Sequence, residues 1–233
     1  MNVFSYIGSH DSGFAPNPFH GYCTLACYKP TIRRCASIGD WIVGLSPKRY
    51  GNEIVFAMKV ADKLSFAEYW KDKRFRNKRA KMRSKDPIFR VGDNIYQPVK
   101  GGVLLQKPSR HSNEDGTEKA RRKKHDLNGK FVMVSVHFSY FGGKTKKIPA
   151  KFADLIVTRG HKRFECKDEE LQKGRGGFAG KLVRVFEKLP KGRQGYPRSW
   201  RVVQIDTAAA SGRCTPRKPK PSQFSSKSCN IGC

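Results

Sequence analysis

The runs Asp40-Trp41-Ile42-Val43-Gly44-Leu45 and Ile54-Val55-Phe56-Ala57-Met58-Lys59-Val60 decide the fold class. Both are dense in β-branched and aromatic residues, the composition that suits a pleated, half-buried surface. The Gly39-Asp40 turn leads into the first run, and Ser46–Glu53 folds it back on the second as a hairpin. Strand alternation sets Trp41 and Val43 on one face and Ile42 and Gly44 on the other. Gly44 offers no side chain, so a ligand or a neighbouring backbone can approach closely there.

Working outward, Val3–Ile7, Tyr22–Cys27, Val103–Gln106, Phe131–Phe138 and Trp200–Ile205 read as further strands. Helices are few. Ser65-Phe66-Ala67-Glu68 fits a capping box and predicts a short helix to about Trp70. Pro149 suits the first turn of a helix reaching Ile156, and Phe178, Leu182, Val185, Phe186 and Leu189 recur at helical spacing across Gly177–Leu189. Lys71–Arg90 carries few apolar residues and reads as an irregular loop. With no βαβ rhythm and no internal repeat, the class is α+β around a mostly antiparallel sheet or small barrel. Residues 1–206 form one domain. From Thr207 to Cys233 the chain is Pro-, Ser- and Lys-rich with no acid, the composition of a disordered basic tail.

The charge is lopsided: Lys+Arg 48 against Asp+Glu 19 leaves +29 over 233 residues. Such an excess opposes compaction by self-repulsion and is best tolerated against a polyanion. Lys71–Arg90 holds ten Lys/Arg against Asp72 and Asp86, and Arg121-Arg122-Lys123-Lys124 is a compact run. Lys144, Lys146, Lys147 and Lys151 follow the aromatic turn Tyr140-Phe141. Nucleic acid is therefore the expected partner, and a membrane is not, since no apolar run approaches the ~20 residues of a span. The opening Met-Asn-Val-Phe-Ser-Tyr-Ile lacks the features of a secretory signal. The 7 Cys are irregularly spaced and read as reduced thiols in a cytoplasmic protein. Cys23 and Cys27 stand four apart with no second pair, so no metal is expected.

The loop Asp11–His20 is stiffened by Pro16 and Pro18 while Gly13 permits positive φ. It projects Phe14 and Phe19 beside Asp11, Ser12, Asn17 and His20. A planar ring held between aromatics, with polar side chains at its edge, is how an unstacked base is read. The plainer alternative makes both Phe part of the core and Asn17 a turn cap. Trp41, Tyr96, Tyr140 and Phe141 pose the same choice between pocket wall and core. His10, Asp11, His20, His111 and His137 are candidate acid–base groups, with Ser12 and Cys23 as candidate nucleophiles. None falls in a catalytic spacing, and no phosphate-binding Gly-rich motif is complete, so no cofactor is expected and no catalytic residue is assigned.

Three stretches resemble one family: His10-Asp11-Ser12-Gly13-Phe14-Ala15-Pro16-Asn17-Pro18-Phe19-His20-Gly21-Tyr22-Cys23; Ile32-Arg33-Arg34 leading to Gly39-Asp40-Trp41-Ile42-Val43-Gly44; and Gly92-Asp93-Asn94-Ile95-Tyr96 with His137-Phe138-Ser139-Tyr140-Phe141-Gly142-Gly143. Together they resemble the second nucleotide modification associated domain family of bacteria and phages, over about residues 3–205. Gly21-Tyr22 and Gly39-Asp40 are also loosely similar to EVE and other PUA-like domains, small β-barrels that bind nucleic acids. The resemblance implies a mostly antiparallel PUA-like β-barrel with a few peripheral helices, associated with DNA base modification. On this reading the base-binding set is Asp11, Ser12, Phe14, Asn17, Phe19, His20, Tyr22, Trp41, Asn94, Tyr96, His137, Tyr140 and Phe141. Arg121, Arg122, Lys123 and Lys124 hold phosphates, with DNA favoured over RNA. Two alternatives stay open: an enzyme that itself completes a base modification, and a basic protein that coats polyanions without base preference.

Overall fold

The computed structural model describes residues 1–166 and 177–200. The basic tail 207–233 and residues 201–205 of the strand expected from Trp200 lie outside the described residues.

The hairpin predicted from residues 40–60 is the centre of the molecule. β3 (Trp41–Leu45) pairs antiparallel with β4 (Ile54–Lys59), and β1 (Asn2–Ile7) lies parallel to β3 on its other side. β9 (His137–Tyr140), β10 (His161–Glu165) and β11 (Gly192–Arg193) complete a six-stranded sheet in the order β10-β1-β3-β4-β9-β11. A second sheet joins β2 (Cys23–Leu25), β8 (Phe131–Ser135) and β5 (Asp62–Ser65) in the order β2-β8-β5. β6 (Tyr96–Pro98) and β7 (Leu104–Gln106) form a third, two-stranded one. The class is mixed α+β. Among the described residues none of these sheets closes into a barrel.

Both faces of the large sheet are covered at its centre, which is why β1, β3, β4 and β9 are buried at nearly every position rather than at alternate ones. Val3, Trp41, Val43 and Leu45 meet Ala179, Leu182, Val183 and Phe186 of α5 (Gly177–Glu187). On the opposite face Phe4, Tyr6, Ile42, Phe56 and Met58 meet Cys23 and Leu25 of β2 and Ile32 of α1 (Pro30–Cys35). A third cluster lies beyond the second sheet, where Val132 and Val134 of β8 pack with Phe14, Phe19, Phe66, Tyr69 and Tyr96. Ser65 caps α2 (Phe66–Lys71) with the full reciprocal box expected of Ser65 and Glu68.

Two expectations change. Phe131–Phe138 is not one strand: the chain breaks at Val136, which is 62% exposed, and its halves enter different sheets. A continuous β-branched run carries no mark of such a switch. Lys71–Arg90 is not wholly an irregular loop, and within it Lys78 is fully buried and donates from Nζ to Asn17 O, Asn17 Oδ1 and Tyr22 O at 2.9, 2.7 and 2.9 Å. Burial drives its pKa down to about 8. α3 (Pro87–Arg90) and a 3-10 turn over Lys73–Lys78 give the rest of the segment local order.

Gly44 is taken by a side chain and not by a ligand. It pairs across the sheet with Phe56, whose ring lies where a Cβ at residue 44 would stand. Gly44→Ala should therefore overpack the core and lower stability by about 1–3 kcal/mol, read as a lower urea midpoint with unchanged m-value.

Candidate functional site

The residues expected to enclose a base are mostly placed in the interior. Trp41 is 1% exposed and packs on Phe186 and edge-on to His137. Phe141 is buried in the same cluster. Tyr140 is fully buried, and its hydroxyl donates to Asp11 Oδ1 at 2.5 Å. Asp11 Oδ2 accepts from the Arg198 amide at 3.0 Å, so this carboxylate ties the loop to β9 and to the 198 turn. Asn17 is buried, donating to Val91 O and accepting from Lys78 and the Phe19 amide. Asn94 is buried with its amide on Tyr69 O and Phe75 O. Phe19 stacks on Trp200, Tyr22 meets Phe75 edge-on, and His20 lies beside Phe89. His137 faces Glu187 at 3.4 Å. These residues do not converge on one pocket. The alternation argument could not separate a buried aromatic from a pocket wall, because both faces of the sheet turn out to be covered.

Three of the expected residues do share a cavity. Ser12, Phe14 and Arg122 line a concave space of about 360 Å³, together with Tyr28, Lys29, Arg110 and His111. It sits where the end of β1, the 8–15 loop, the turn before α1, the 107–119 loop and α4 (Ala120–Leu127) meet. Among the described residues its wall holds three cations and no carboxylate. Lys29 donates to Ile7 O at 3.2 Å with its ammonium over the Tyr6 ring. Arg122 lies over the Tyr28 ring. Burial pulls the Lys29 pKa below its usual value.

Asp126, fully buried on α4, organises this wall. Its Oδ1 accepts the Tyr28 amide at 2.9 Å, and its Oδ2 accepts the Tyr96 hydroxyl at 2.8 Å and faces His111 Nδ1 at 2.5 Å. Burial alone would raise its pKa, but the contacts from His111, Tyr28 and Tyr96 outweigh that and hold it below the ordinary carboxylate value. The hydrogen bond to Nδ1 leaves Nε2 of His111 as the other ring nitrogen, and Nε2 is buried without a partner. The ring itself is held by Phe14 at 4.7 Å and by the edge of Tyr28 at 4.4 Å. Gln106, opposite Tyr96 in the β6–β7 hairpin, donates to His111 O and accepts the Lys119 amide, which fixes the loop between them.

The same hub sustains a strained turn. Tyr28 and Lys29 both adopt left-handed backbone, φ 57° and 45°, without being glycine or asparagine. Conformations of this kind cost roughly 1 kcal/mol or more each and persist only where neighbours over-determine them. Here the Tyr28 amide is held by Asp126 and its carbonyl by Nε of Arg33 at 2.8 Å. Arg33, also fully buried, further donates to Phe131 O and Asp126 O, its guanidinium lying against Gly129.

Cys27, His111 and Asp126 bring potential metal-ligand atoms within 4.8 Å of one another. The carboxylate is already occupied on both oxygens, and burial pushes the Cys27 thiol pKa well up, away from the thiolate that metals need. The cluster fits a hydrogen-bonded hub better than a metal centre.

Sequence reading named His111 as one of several acid–base candidates and missed Tyr28, Lys29, Arg110 and Asp126. His111 and Asp126 are fifteen residues apart and Cys27 is far from both, so no local spacing announces the pair; only the topology joins them. Of the basic run, Arg121 and Lys124 are exposed on α4, and Lys123 pairs with Glu118 at 2.6 Å.

The chain belongs to the nucleotide modification associated domain 2 family, whose model matches residues 1–204. The protein is thus associated with nucleotide modification. Neither a curated protein nor a solved structure matches it. No helix among the described residues is long and apolar enough to cross a membrane.

The pKa of Asp126 is lower folded than unfolded, so its contribution to stability is complete above the unfolded value of about 3.9 and is lost as pH falls through the lower folded value. Asp126→Asn should cost about 2 kcal/mol or more at pH 7 by disturbing a buried hydrogen-bonded charge. The deficit should narrow as pH drops below 4, measured as urea midpoints of the two proteins across pH 2.5–7.

Proposed function

We propose that this protein serves nucleotide modification by binding nucleic acid and seating one nucleotide in the cavity governed by Asp126. The observation that carries the reading is the composition of that wall: Lys29, Arg110 and Arg122 without an acid, beside Phe14, Tyr28 and His111. Cations supply phosphate contacts, which give affinity and position, while the aromatic wall and the imidazole meet a base. An unstacked base held against aromatics is the PUA-like mode of action, set here on open sheets. DNA is the polymer and the cytoplasm the compartment that this reading takes, and Arg121 and Lys124 on α4 extend the phosphate track from the Arg122 rim.

The His111–Asp126 pair favours a second reading, an enzyme that itself completes a modification. A carboxylate fixing Nδ1 leaves Nε2 placed to take or give a proton. Incubation with DNA and candidate cosubstrates would then change a nucleoside mass, and the change would vanish in His111→Gln.

If about six phosphates are engaged on duplex DNA, log K should fall with log salt with a slope near −5. Substituting Arg121 and Lys124 by Ala should make that slope shallower by about 2, whereas Lys123→Ala, already paired with Glu118, should change it less. Fluorescence anisotropy over 50–300 mM salt reads both. Absence of binding to DNA and RNA at the lowest salt would overturn the nucleic-acid reading.

A further inference from the structure

We infer that the nucleotide selected by this cavity carries a phosphomonoester, as a free nucleoside monophosphate or as a strand end with a terminal phosphate. The inference rests on the reading of the cavity as a nucleotide site, and names what that site prefers.

Charge is the first argument. Lys29, Arg110 and Arg122 border one small cavity, and among the described residues no carboxylate is in its wall and none of the three is in an ion pair. Lys29 is partly desolvated there, which disfavours its charge while the cavity is empty. A phosphodiester brings a single negative charge, whereas a monoester brings about −1.5 to −2 at neutral pH and three acceptor oxygens. The monoester matches three converging cations more closely.

The second argument is the unpartnered imidazole nitrogen. His111 is 2% exposed, and a buried polar atom without a partner costs about 1–3 kcal/mol. Its surroundings are the Asp126 carboxylate at Nδ1, the Phe14 and Tyr28 rings, the Cys27 thiol, and the rim cations. A phosphate in the cavity that His111 lines would bring Nε2 the partner it lacks.

The third is size. About 360 Å³ is at the small end of ligand sites, ample for one nucleotide and closed to a base-paired duplex. What enters is a mononucleotide or a frayed end. The strained Tyr28-Lys29 turn, held by Asp126 and Arg33, is what brings the Tyr28 ring and the Lys29 ammonium to that space.

Calorimetric titration of the full chain at low salt tests this with the four deoxynucleoside 5′-monophosphates, their nucleosides, inorganic phosphate, and a short single strand with and without a 5′-phosphate. At least one monophosphate, or the phosphorylated strand, should bind tenfold or more tighter than its unphosphorylated counterpart. Arg110→Ala/Arg122→Ala, both on exposed positions, should remove most of that preference while leaving the thermal melt unchanged. His111→Ala should do the same, and if it fails to fold, the arginine variant still decides. Preference for the phosphorylated strand assigns strand ends; preference among mononucleotides alone assigns free nucleotides. Equal binding with and without the phosphate, or a preference that survives loss of both arginines, overturns the inference. Binding of inorganic phosphate alone, with no nucleotide bound more tightly, overturns it too. If the unphosphorylated strand binds as well as the phosphorylated one and no monophosphate is preferred over its nucleoside, the monoester falls and the nucleic-acid reading stands; if no arm binds, both fall.

Discussion

A single buried carboxylate ties together the segments that surround the cavity of the proposed site. Asp126 accepts hydrogen bonds from a backbone amide, a tyrosine hydroxyl and an imidazole, drawn from the β2–α1 turn, the β6 hairpin and the 107–119 loop. The turn and the hairpin also bury Cys27 and Tyr96 in the third cluster. The shared acceptor sets their mutual positions together with Gln106 and Arg33. Arg33 backs the same point from the other side by supplying donors to three carbonyls, one of them that of Asp126. Breaking such a buried hydrogen-bonded charge costs more than its net contribution suggests, because the surviving partners stay desolvated.

Buried cations elsewhere repeat the device. Lys78 serves three acceptors on the 17–22 loop, whose rigidity sequence reading credited to Pro16 and Pro18 alone. In a chain of +29, three of the features that define its folded core are thus fully buried ions: Arg33, Lys78 and Asp126. Among the described residues no other Lys or Arg is fully buried, and none of the residues lining the cavity is an acid.

The central hairpin, the capping box at Ser65 and the helix ending near Glu187 were legible because each is local: β-branched alternation, a Ser-x-x-Glu pair, apolar residues at helical spacing. The α+β class followed from them. What could not be read was everything set by long-range contact. Trp41 and Tyr140 lie inside because α5 and β2 cover opposite faces of the sheet, and strand patterning says nothing about coverage. Val136 divides one apolar run between two sheets without any Gly or Pro to mark it. Of the residues expected to bind base or phosphate, Ser12, Phe14 and Arg122 line the cavity, beside Tyr28 and Lys29, whose left-handed backbone no glycine or asparagine announces. Asp126 was invisible as a partner of His111 because their meeting depends on a loop closing back onto a helix.

The most direct test of the central claim is a nitrogen-detected NMR titration of the histidine side chains and backbone amides with single nucleotides and a short oligonucleotide. The account predicts that His111 Nε2 shifts from an unbonded to a hydrogen-bonded position, with concerted changes at the amides of Tyr28 and Lys29, while Nδ1 keeps its bond to Asp126. Shifts confined to the outer face of α4, with His111, Tyr28 and Lys29 unmoved at saturation, would contradict it.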